Sequence, residues 1–292
     1  MPDTPLHAAE EEAFHALRTL VLDAGGIDLL LYKHRCVLRR IAVRRRICGD
    51  TDLRRYLRRV QADPIERGRL VKTLTIHVSR FFRNPSTFRA IQREILPAIL
   101  DAKARTAGRA LRLWSAGCAY GEEPYSLALL LLERPQILQQ HSTRIYATDI
   151  DPDCLRVARQ GWYPAASLVG VPAGWTRRYF TPVENGYQVA PAVRRLIQFI
   201  PHSILDPVPF GRIDLVVLRN VLIYMTERLQ ERVLTSIAAT LNPGGYLVLG
   251  KVEGIAGAAK NLFEPVRISE RIFRKRATSA ATPALGESAA RL

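Results

Sequence analysis

The sequence of 292 residues predicts an α/β protein, with a doubly wound and mostly parallel sheet behind a helical N-terminal part. From Leu111 onward, short apolar strands alternate with helical segments, the order that predicts parallel strands joined by helices. Up to about residue 100, apolar residues recur at helical intervals and β-branched runs are few. A glycine-rich turn also follows the first strand, where such sheets bind nucleotides.

The helical part contains a recognisable helix start. Asn84 and Pro85 precede an apolar-periodic run that continues to about residue 100. Proline suits the first turn of a helix and asparagine suits its cap, so we expect a helix to begin at this pair.

The α/β part consists of strands and helices in alternation. Strands are predicted for the segments LRLWSAG, TRIYATDI, IDLVVLRN and GGYLVLG, and helices for PYSLALLLLER, DPDCLRVARQ and TERLQERVLTSIAATL. The tail at residues 277–292 is rich in small and polar residues and contains proline, so we expect it to be disordered.

Composition narrows the class of protein. The chain is 48% hydrophobic and 24% charged, as in ordinary globular proteins, and no apolar run approaches the roughly 20 residues of a membrane span. The N-terminal segment MPDTPLHAAEEEAF lacks the pattern of a signal peptide. The four cysteines show no paired metal-ligand spacing. We therefore expect a cytoplasmic protein with reduced thiols, no metal site and no membrane insertion.

Positive charge is concentrated in one window of the helical part. The formal net charge is +16, and residues 32–59 hold 11 lysines and arginines against only Asp50 and Asp52. Apolar residues in HRCVLRRIAVRRRIC recur at helical intervals, so arginines cover the remaining helix surface. Two interpretations stay open: a solvated helix face, or a docking surface for an acidic partner, either a nucleic acid or an acidic helix.

The turn SAGCAYGEEPYS lies where α/β sheets bind nucleotides, but its residues differ from those of a phosphate-binding turn. Gly117 and Gly121 do not match the dinucleotide spacing G-x-G-x-x-G, and Glu122 and Glu123 would repel phosphates. Carboxylates suit a nucleoside with a cationic group, such as S-adenosylmethionine, which carries an ammonium and a sulfonium. Asp149 ends the next strand, about where such folds place an acid on ribose hydroxyls. Each signal alone also fits a tight turn or a helix cap; in this order they favour a nucleoside site.

Several longer segments carry a resemblance to a known family. These are VSRFFRNPSTF, SAGCAYGEEPYS, ATDIDPDCLRVARQGWY, FGRIDLVVLRNVLIYM and LNPGGYLVLG. From about Tyr32 to Phe273 the chain resembles the chemotaxis receptor methyltransferases of the CheR family. The resemblance implies a helical N-terminal domain for substrate docking (1–100) and a Rossmann-like class I methyltransferase domain (101–276). It also implies a small β subdomain inserted near residues 161–195.

The resemblance also implies the reaction and its cofactor. Family members transfer the methyl group of S-adenosylmethionine to glutamate side chains of chemoreceptors, which leaves S-adenosylhomocysteine and a glutamate methyl ester. The implied cofactor residues are His77, Ser79, Arg83, Glu123, Asp149, Ser203, Ile204, Arg219 and Asn220. His77 and Ser203 replace asparagines common in the family; both are polar, so we expect weaker or re-tuned cofactor binding rather than its loss. The implied catalytic residues are Arg83, which would orient the carboxylate, and Tyr224, which would face the methyl group.

Three alternative functions also fit individual features of the sequence. A nucleic-acid methyltransferase is disfavoured because LRNVLIY replaces the Asn/Asp-Pro-Pro-aromatic motif of amino methyltransferases. The changes at His77 and Ser203, and the segment GKVEG, leave room for a non-catalytic cofactor-binding protein. The glycine spacing disfavours a nicotinamide oxidoreductase. For partners we expect acidic cytoplasmic helices of chemoreceptors and no nucleic acid. We also expect a monomer without a C-terminal pentapeptide tether, because RYFTPVENGYQVAPAVRRL lacks a glycine-rich loop.

Overall fold

Four helices form the first part of the chain. The computed structural model describes residues 8–75, 79–105 and 109–277. The helices are α1 (Ala8–Gly25), α2 (His34–Ile47), α3 (Leu53–Ala62) and α4 (Pro64–Leu74). Asp52 and Asp63 cap α3 and α4 by accepting from the backbone N–H groups of Arg55 and Ile65. Their apolar faces meet in one cluster that includes the fully buried Leu17, Tyr56, Val60 and Leu70.

A buried carboxylate ties these helices together. Glu66 of α4 is 2% exposed, and it accepts from Arg44 Nε at 2.9 Å and from the Tyr56 hydroxyl at 2.9 Å. Burial acts to raise the pKa of the Glu66 carboxyl, but the hydrogen bonds from Arg44 and Tyr56 outweigh it, and the pKa lies below its ordinary value. The ionised carboxylate is therefore the form that the fold stabilises.

A seven-stranded sheet organises the rest of the chain. In spatial order it runs β6-β2-β1-β7-β8-β10-β9, with β6, β2, β1, β7 and β8 parallel and β10 antiparallel to both neighbours. Its strands are β1 (Ala110–Ala116), β2 (Ser142–Asp149), β6 (Ile197–Pro201), β7 (Ile213–Leu218), β8 (Leu241–Leu249), β9 (Phe263–Arg267) and β10 (Ile272–Lys275). The predicted α/β class with a mostly parallel sheet is confirmed.

Helices cover both faces of this sheet because alternate strand residues point to opposite sides. In β7, Leu215 and Val217 pack into one apolar cluster, whereas Val216 and Leu218 pack into another with α12. The helices are α5 (Pro85–Ala90), α6 (Leu96–Arg105), α7 (Glu122–Leu132), α8 (Pro135–Gln140), α9 (Pro152–Gln160), α10 (Ala173–Tyr179), α11 (Pro191–Arg194) and α12 (Glu227–Thr240). A π-helical turn at Ile91–Ile95 joins α5 to α6.

A second, smaller sheet lies in the segment between α9 and β6. It is antiparallel, runs in the order β3-β5-β4, and consists of β3 (Trp162–Tyr163), β4 (Phe180–Val183) and β5 (Gly186–Val189). The predicted small β subdomain is therefore present in the fold.

Several details differ from the sequence prediction or lie beyond it. Strands β6, β9 and β10 were not predicted; β9 and β10 are short, and each contains two charged residues. The predicted boundary at residue 100 falls within α6. The predicted disordered tail lies, apart from Ala277, outside the described residues. Within the described ranges, no helix combines the length and apolarity needed to cross a bilayer.

Candidate active site

The turn after β1 has a backbone that depends on glycine. Gly117, Ala119 and Gly121 have φ of 72°, 48° and 95°. A Cβ on Gly117 would lie 2.7 Å from Cγ2 of Val221, so a larger residue would clash there. The positive φ at this position also favours glycine. The N–H groups of Gly117 and Cys118 donate to Thr148 O, which fixes the turn to the end of β2.

Two adjoining cavities open at the carboxyl ends of the parallel strands, the edge where α/β sheets bind ligands. One is mainly apolar and contains about 1000 Å³ of space, and the other is polar and contains about 720 Å³, each partly open to solvent. Gly117, Asn220, Val221 and Tyr224 line both. The two cavities therefore form one bent cleft with a junction at these residues.

The apolar cavity lies between the helical part and the sheet. Asp149 lines it from the end of β2, Ser203 and Ile204 line it from the loop after β6, and Cys36 and Val37 of α2 cover it. The Asp149 residue is 7% exposed, and its carboxylate accepts from Ala119 N–H at 2.8 Å and Asp151 N–H at 3.0 Å. These bonds hold the carboxylate at the cavity wall, where it could accept from ribose hydroxyls.

The polar cavity contains the acid predicted to contact the cofactor. Glu123 Oε1 accepts from Ser115 Oγ at 2.8 Å, and Glu123 Oε2 lies 3.2 Å from Arg219 Nη1. Burial raises the pKa of the Glu123 carboxyl, which Arg219 partly offsets. Arg83 lines the same cavity, and burial together with the nearby Arg219 lowers the pKa of its guanidinium. Desolvated charges of both signs thus face one another here.

Arg219 connects the end of β7 to the start of α5. Its Nη2 donates to Arg83 O and to Asn84 Oδ1, both at 2.6 Å. The sequence predicted Asn84 as a helix cap; α5 does begin at Pro85, but Asn84 has a left-handed conformation and makes no side-chain cap bond. The cap prediction is wrong because the buried guanidinium takes the asparagine oxygen.

Asn220 has an unusual conformation that a distant acid supports. Its φ is 62°, and its N–H donates to Glu253 Oε2 at 2.8 Å. The same carboxylate accepts from Gly250 N–H at 2.6 Å and Ile223 N–H at 3.2 Å. Sequence reasoning missed the role of Glu253, although the acid in the segment GKVEG was the available signal. Glu253 therefore holds the loop that presents Asn220 to the cleft.

Tyr224 lies at the junction of the cavities and is held from the helical part. The Arg40 guanidinium lies 5.4 Å from the centre of its ring. Lys33 N–H donates to Tyr224 O at 2.8 Å, and Thr226 N–H donates to Leu31 O at 3.1 Å. Burial raises the pKa of the Tyr224 hydroxyl, against smaller opposing effects of Arg40 and Arg83, so the hydroxyl keeps its proton at neutral pH.

The structure brings most of the predicted site residues into one cleft. The polar cavity collects Ser79, Arg83, Glu123, Arg219, Asn220 and Tyr224, and the apolar cavity collects Asp149, Ser203, Ile204, Asn220 and Tyr224. His77 lies outside the described residues. Glu122 lines neither cavity, as expected for adjacent glutamates that point apart. Among the residues with described positions, no cluster of potential metal ligands is found.

The side chains present fit S-adenosylmethionine. The carboxylate of Asp149 could hold the ribose hydroxyls beside an apolar wall for the adenine, and that of Glu123 could hold the ammonium group. Asn220 Oδ1 and Arg219 Nε are buried and have no hydrogen-bond partner among the described residues. A buried polar atom without a hydrogen-bond partner destabilises the fold. A polar ligand in the cleft that bonded to these two atoms would remove that cost.

Comparisons with known proteins agree with this geometry. Residues 77–272 match the family described as "CheR methyltransferase, SAM binding domain", and residues 12–75 match "CheR methyltransferase, all-alpha domain". A probable chemotaxis protein methyltransferase of Rhizobium etli is 33% identical over 257 residues, which cover 86% of this chain and 95% of that protein. A chemotaxis protein methyltransferase of Listeria monocytogenes is 32% identical over 254 residues, with 86% and 92% covered. An uncharacterized 104.1 kDa protein of Rhodobacter capsulatus is 34% identical over 84% of this chain, which spans only 26% of that protein.

Proposed function

Because the chain belongs to the CheR methyltransferase family, we propose that it methylates side-chain carboxylates of glutamates on the acidic helices of chemoreceptors. The methyl donor is S-adenosylmethionine, and the products are a glutamate methyl ester and S-adenosylhomocysteine. The observation that carries this proposal is the position of Tyr224 and Arg83. Both line the polar cavity, and Tyr224 lies where it joins the apolar one, so an incoming carboxylate can meet a donor bound across the two.

The substrate needs little chemical activation. When bound, S-adenosylmethionine supplies an electrophilic methyl group on a sulfonium centre. A glutamate side chain is ionised at neutral pH, so the protein needs no general base to prepare the nucleophile. Attack neutralises one positive and one negative charge, so a cleft that excludes water favours the transition state over the separated ions. The protein's main task is to align the carboxylate oxygen with the methyl carbon.

Arg83 is the residue we assign to that alignment. Its guanidinium is desolvated enough to lower its pKa, so a carboxylate entering the polar cavity meets a charged donor in a low-dielectric setting. Arg83 must hold the carboxylate without over-stabilising it, because tight ground-state binding would slow the transfer. Tyr224 keeps its proton and can donate a hydrogen bond to the carboxylate or steer the methyl group.

The outer face of α2 is the surface we assign to the receptor. Arg35, Arg39 and Arg46 are exposed on this helix, while its Cys36 and Val37 line the cofactor cavity. An acidic helix bound to these arginines would therefore lie next to the cleft. We further propose that the protein acts in the cytoplasm as a monomer. We propose no receptor tether, because β4 and β5 join through a tight turn at Glu184 and Asn185 without a glycine-rich loop.

The chemical stability of the product tests the reaction. Receptor fragments incubated with the protein and radiolabelled S-adenosylmethionine should gain label that alkali releases as methanol, the behaviour of a carboxyl ester. Label that resists alkali would indicate amino-group methylation and contradict the proposal. Binding of S-adenosylhomocysteine without any transfer to receptor would support the non-catalytic alternative instead.

A further inference from the structure

A second cleft lies at the opposite edge of the sheet from the bent cleft formed by the two cavities, which we call the cofactor cleft. It surrounds the first residues of β1, β7 and β8, the end of α6 and the end of β10, and it contains about 2430 Å³ of space, partly open to solvent. It shares no residue with the two cavities described above. Seven-residue β1 separates Ala110 from the glycine turn, a distance of roughly 20 Å for an extended strand.

The lining of this distal cleft is strongly basic. Eight lysines and arginines line it, against three acidic residues. Asp214 is already committed, because its carboxylate lies 2.8 Å from Lys103 Nζ and accepts from Asn242 Nδ2 at 2.7 Å and Arg112 N–H at 2.9 Å. Glu264 pairs with Arg274, and its Oε2 lies 4.0 Å from Arg276 Nη1. Two of the three acids, Asp214 and Glu264, are therefore bonded to other residues of the cleft, and the eight cations leave a surplus of positive charge.

Two of the cations are held in place by neutral groups. Arg112 Nη1 donates to Gly211 O at 3.2 Å, and Lys275 Nζ donates to Leu241 O at 2.7 Å. A carbonyl oxygen orients a cation without cancelling its charge. Burial lowers the pKa of the Lys275 ammonium.

Other parts of the lining suit the remainder of a ligand. The turn Pro243-Gly244-Gly245 brings backbone to the cleft, and a Cβ built on Gly244 would meet nothing within 4 Å. Glycine turns let a phosphate approach the backbone closely. On the other side, Ala98, Ile99 and Ala102 of α6 form an apolar wall. A basic floor beside an apolar wall fits a ligand with both phosphates and a planar base.

We propose that the distal cleft binds a nucleoside polyphosphate, or a small molecule with the same clustered phosphates, at a site separate from the cofactor cleft. The proposal does not depend on methyl transfer, because no residue of the distal cleft takes part in the proposed reaction.

Calorimetry on the full chain tests this site. GTP and inorganic tripolyphosphate are titrated in the presence of saturating S-adenosylhomocysteine, so that the cofactor cleft is filled. We expect one GTP per chain, with weaker binding of tripolyphosphate because it lacks the base. The absence of heat with both ligands would overturn the proposal, whereas the outcome for the cofactor alone reports separately on the proposed function.

Matched charge reversals locate the binding. Arg105 and Arg109 line the distal cleft and are exposed, so the double variant R105E/R109E should fold normally and raise the Kd for GTP roughly tenfold or more. Arg89 and Arg93 are exposed outside the cleft, and R89E/R93E, with the same change in net charge, should leave it near the wild-type value. Equal losses in both variants would show non-specific attraction and overturn the proposal. A single-stranded oligonucleotide that binds while GTP does not would also overturn it, in favour of a nucleic-acid surface.

Discussion

Arg219 and Glu123 form a buried ion pair, with Nη1 of the arginine 3.2 Å from Oε2 of the glutamate and side-chain exposures of 2% and 13%. The pair joins the end of β7 to the start of α7. Arg80 and Arg83 line the same cavity, so it contains three arginines and one glutamate. Positive charges outnumber negative ones in this cavity, so it attracts a carboxylate such as that of the proposed substrate.

Replacing Asp149 with alanine should weaken S-adenosylhomocysteine binding by about 1–3 kcal/mol, the usual cost of a lost charged hydrogen bond. Part of the loss would come from the turn, because the carboxylate also accepts from Ala119 N–H. Isothermal titration measures the effect. The control is Asp153→Ala, which removes a half-exposed acid of α9 that pairs with Lys72 and lines neither cavity. Unchanged affinity in Asp149→Ala would remove Asp149 from the cofactor site.

Tyr224→Phe should lower kcat while cofactor affinity stays nearly constant, because we assign its hydroxyl to the reacting groups rather than to the adenosine. A hydrogen bond worth about 0.5–1.5 kcal/mol corresponds to a fall of roughly 2- to 13-fold. Initial rates at saturating receptor, with titration of S-adenosylhomocysteine, separate the two effects. Tyr187→Phe in the small sheet is the matched control. A wild-type kcat in Tyr224→Phe would show that the hydroxyl has no role.

Reversing Arg39 and Arg46 to glutamate should raise KM for receptor and leave S-adenosylhomocysteine affinity unchanged, because neither residue lines the cleft. Single exposed pairs are worth about 0.2–1 kcal/mol, but reversal adds repulsion, so we expect a combined effect of roughly 1–3 kcal/mol. The wild-type rate at low receptor concentration should also fall with added salt.

The double variant R89E/R93E is the control for this charge change too. A normal KM and unaltered salt dependence in the Arg39/Arg46 variant would mean that the outer face of α2 is only solvated. Weaker RNA binding by that variant, with tight binding by the wild type, would instead favour a nucleic-acid partner.

Glu66→Gln should destabilise the protein by about 2–4 kcal/mol at pH 7, because Arg44 keeps a mostly buried charge without its anion. The folded-state pKa of Glu66 is depressed, so its contribution is complete above the unfolded pKa of about 4.3 and is lost as pH falls through the folded value. Urea unfolding of wild type and variant should therefore converge in acid. Glu94→Gln, which breaks an exposed pair with Arg267, should cost less than about 1 kcal/mol. A difference that does not change with pH would contradict this account of Glu66.

A pentapeptide copied from a chemoreceptor C-terminus should not bind measurably. The β4–β5 connection is tight, and the segment lacks the glycine-rich loop that we associate with peptide capture. Fluorescence anisotropy with a labelled peptide measures this, with a peptide-tethered family member as the positive control. Micromolar binding would contradict the prediction.

The sequence predicted those parts of the fold that depend on local pattern. Strands β1, β2, β7 and β8 and helices α7, α9 and α12 were predicted because apolar periodicity and turn residues mark them. Strands β9 and β10, which extend the sheet beyond β8, were not, since they are short and contain charged residues. The hydrophobic pattern of a segment indicates which of its residues are buried, but it does not indicate which strand the segment pairs with.

The same limit applies to the site. Motifs identified Asp149, Glu123 and Tyr224, which the structure brings to one cleft. They did not indicate that Glu253 holds the loop of Asn220, or that Arg219 takes the side chain of Asn84. These hydrogen bonds join residues that are 33 and 135 positions apart in the chain. The spacing of residues within a short motif cannot predict contacts between such distant positions.

The hydrogen bonds on either side of Tyr224 have an entropic consequence. Lys33 N–H holds Tyr224 O, and Leu31 O holds Thr226 N–H, so the helical part clamps the backbone of this loop from both sides. Fixing the backbone of one residue costs about 1–2 kcal/mol in conformational entropy. Here that entropy is lost when the protein folds, and not when the substrate binds. A receptor helix would therefore meet a tyrosine whose backbone is already immobilised. The free energy of receptor binding can then align the carboxylate with the methyl group, because none of it is needed to order this loop.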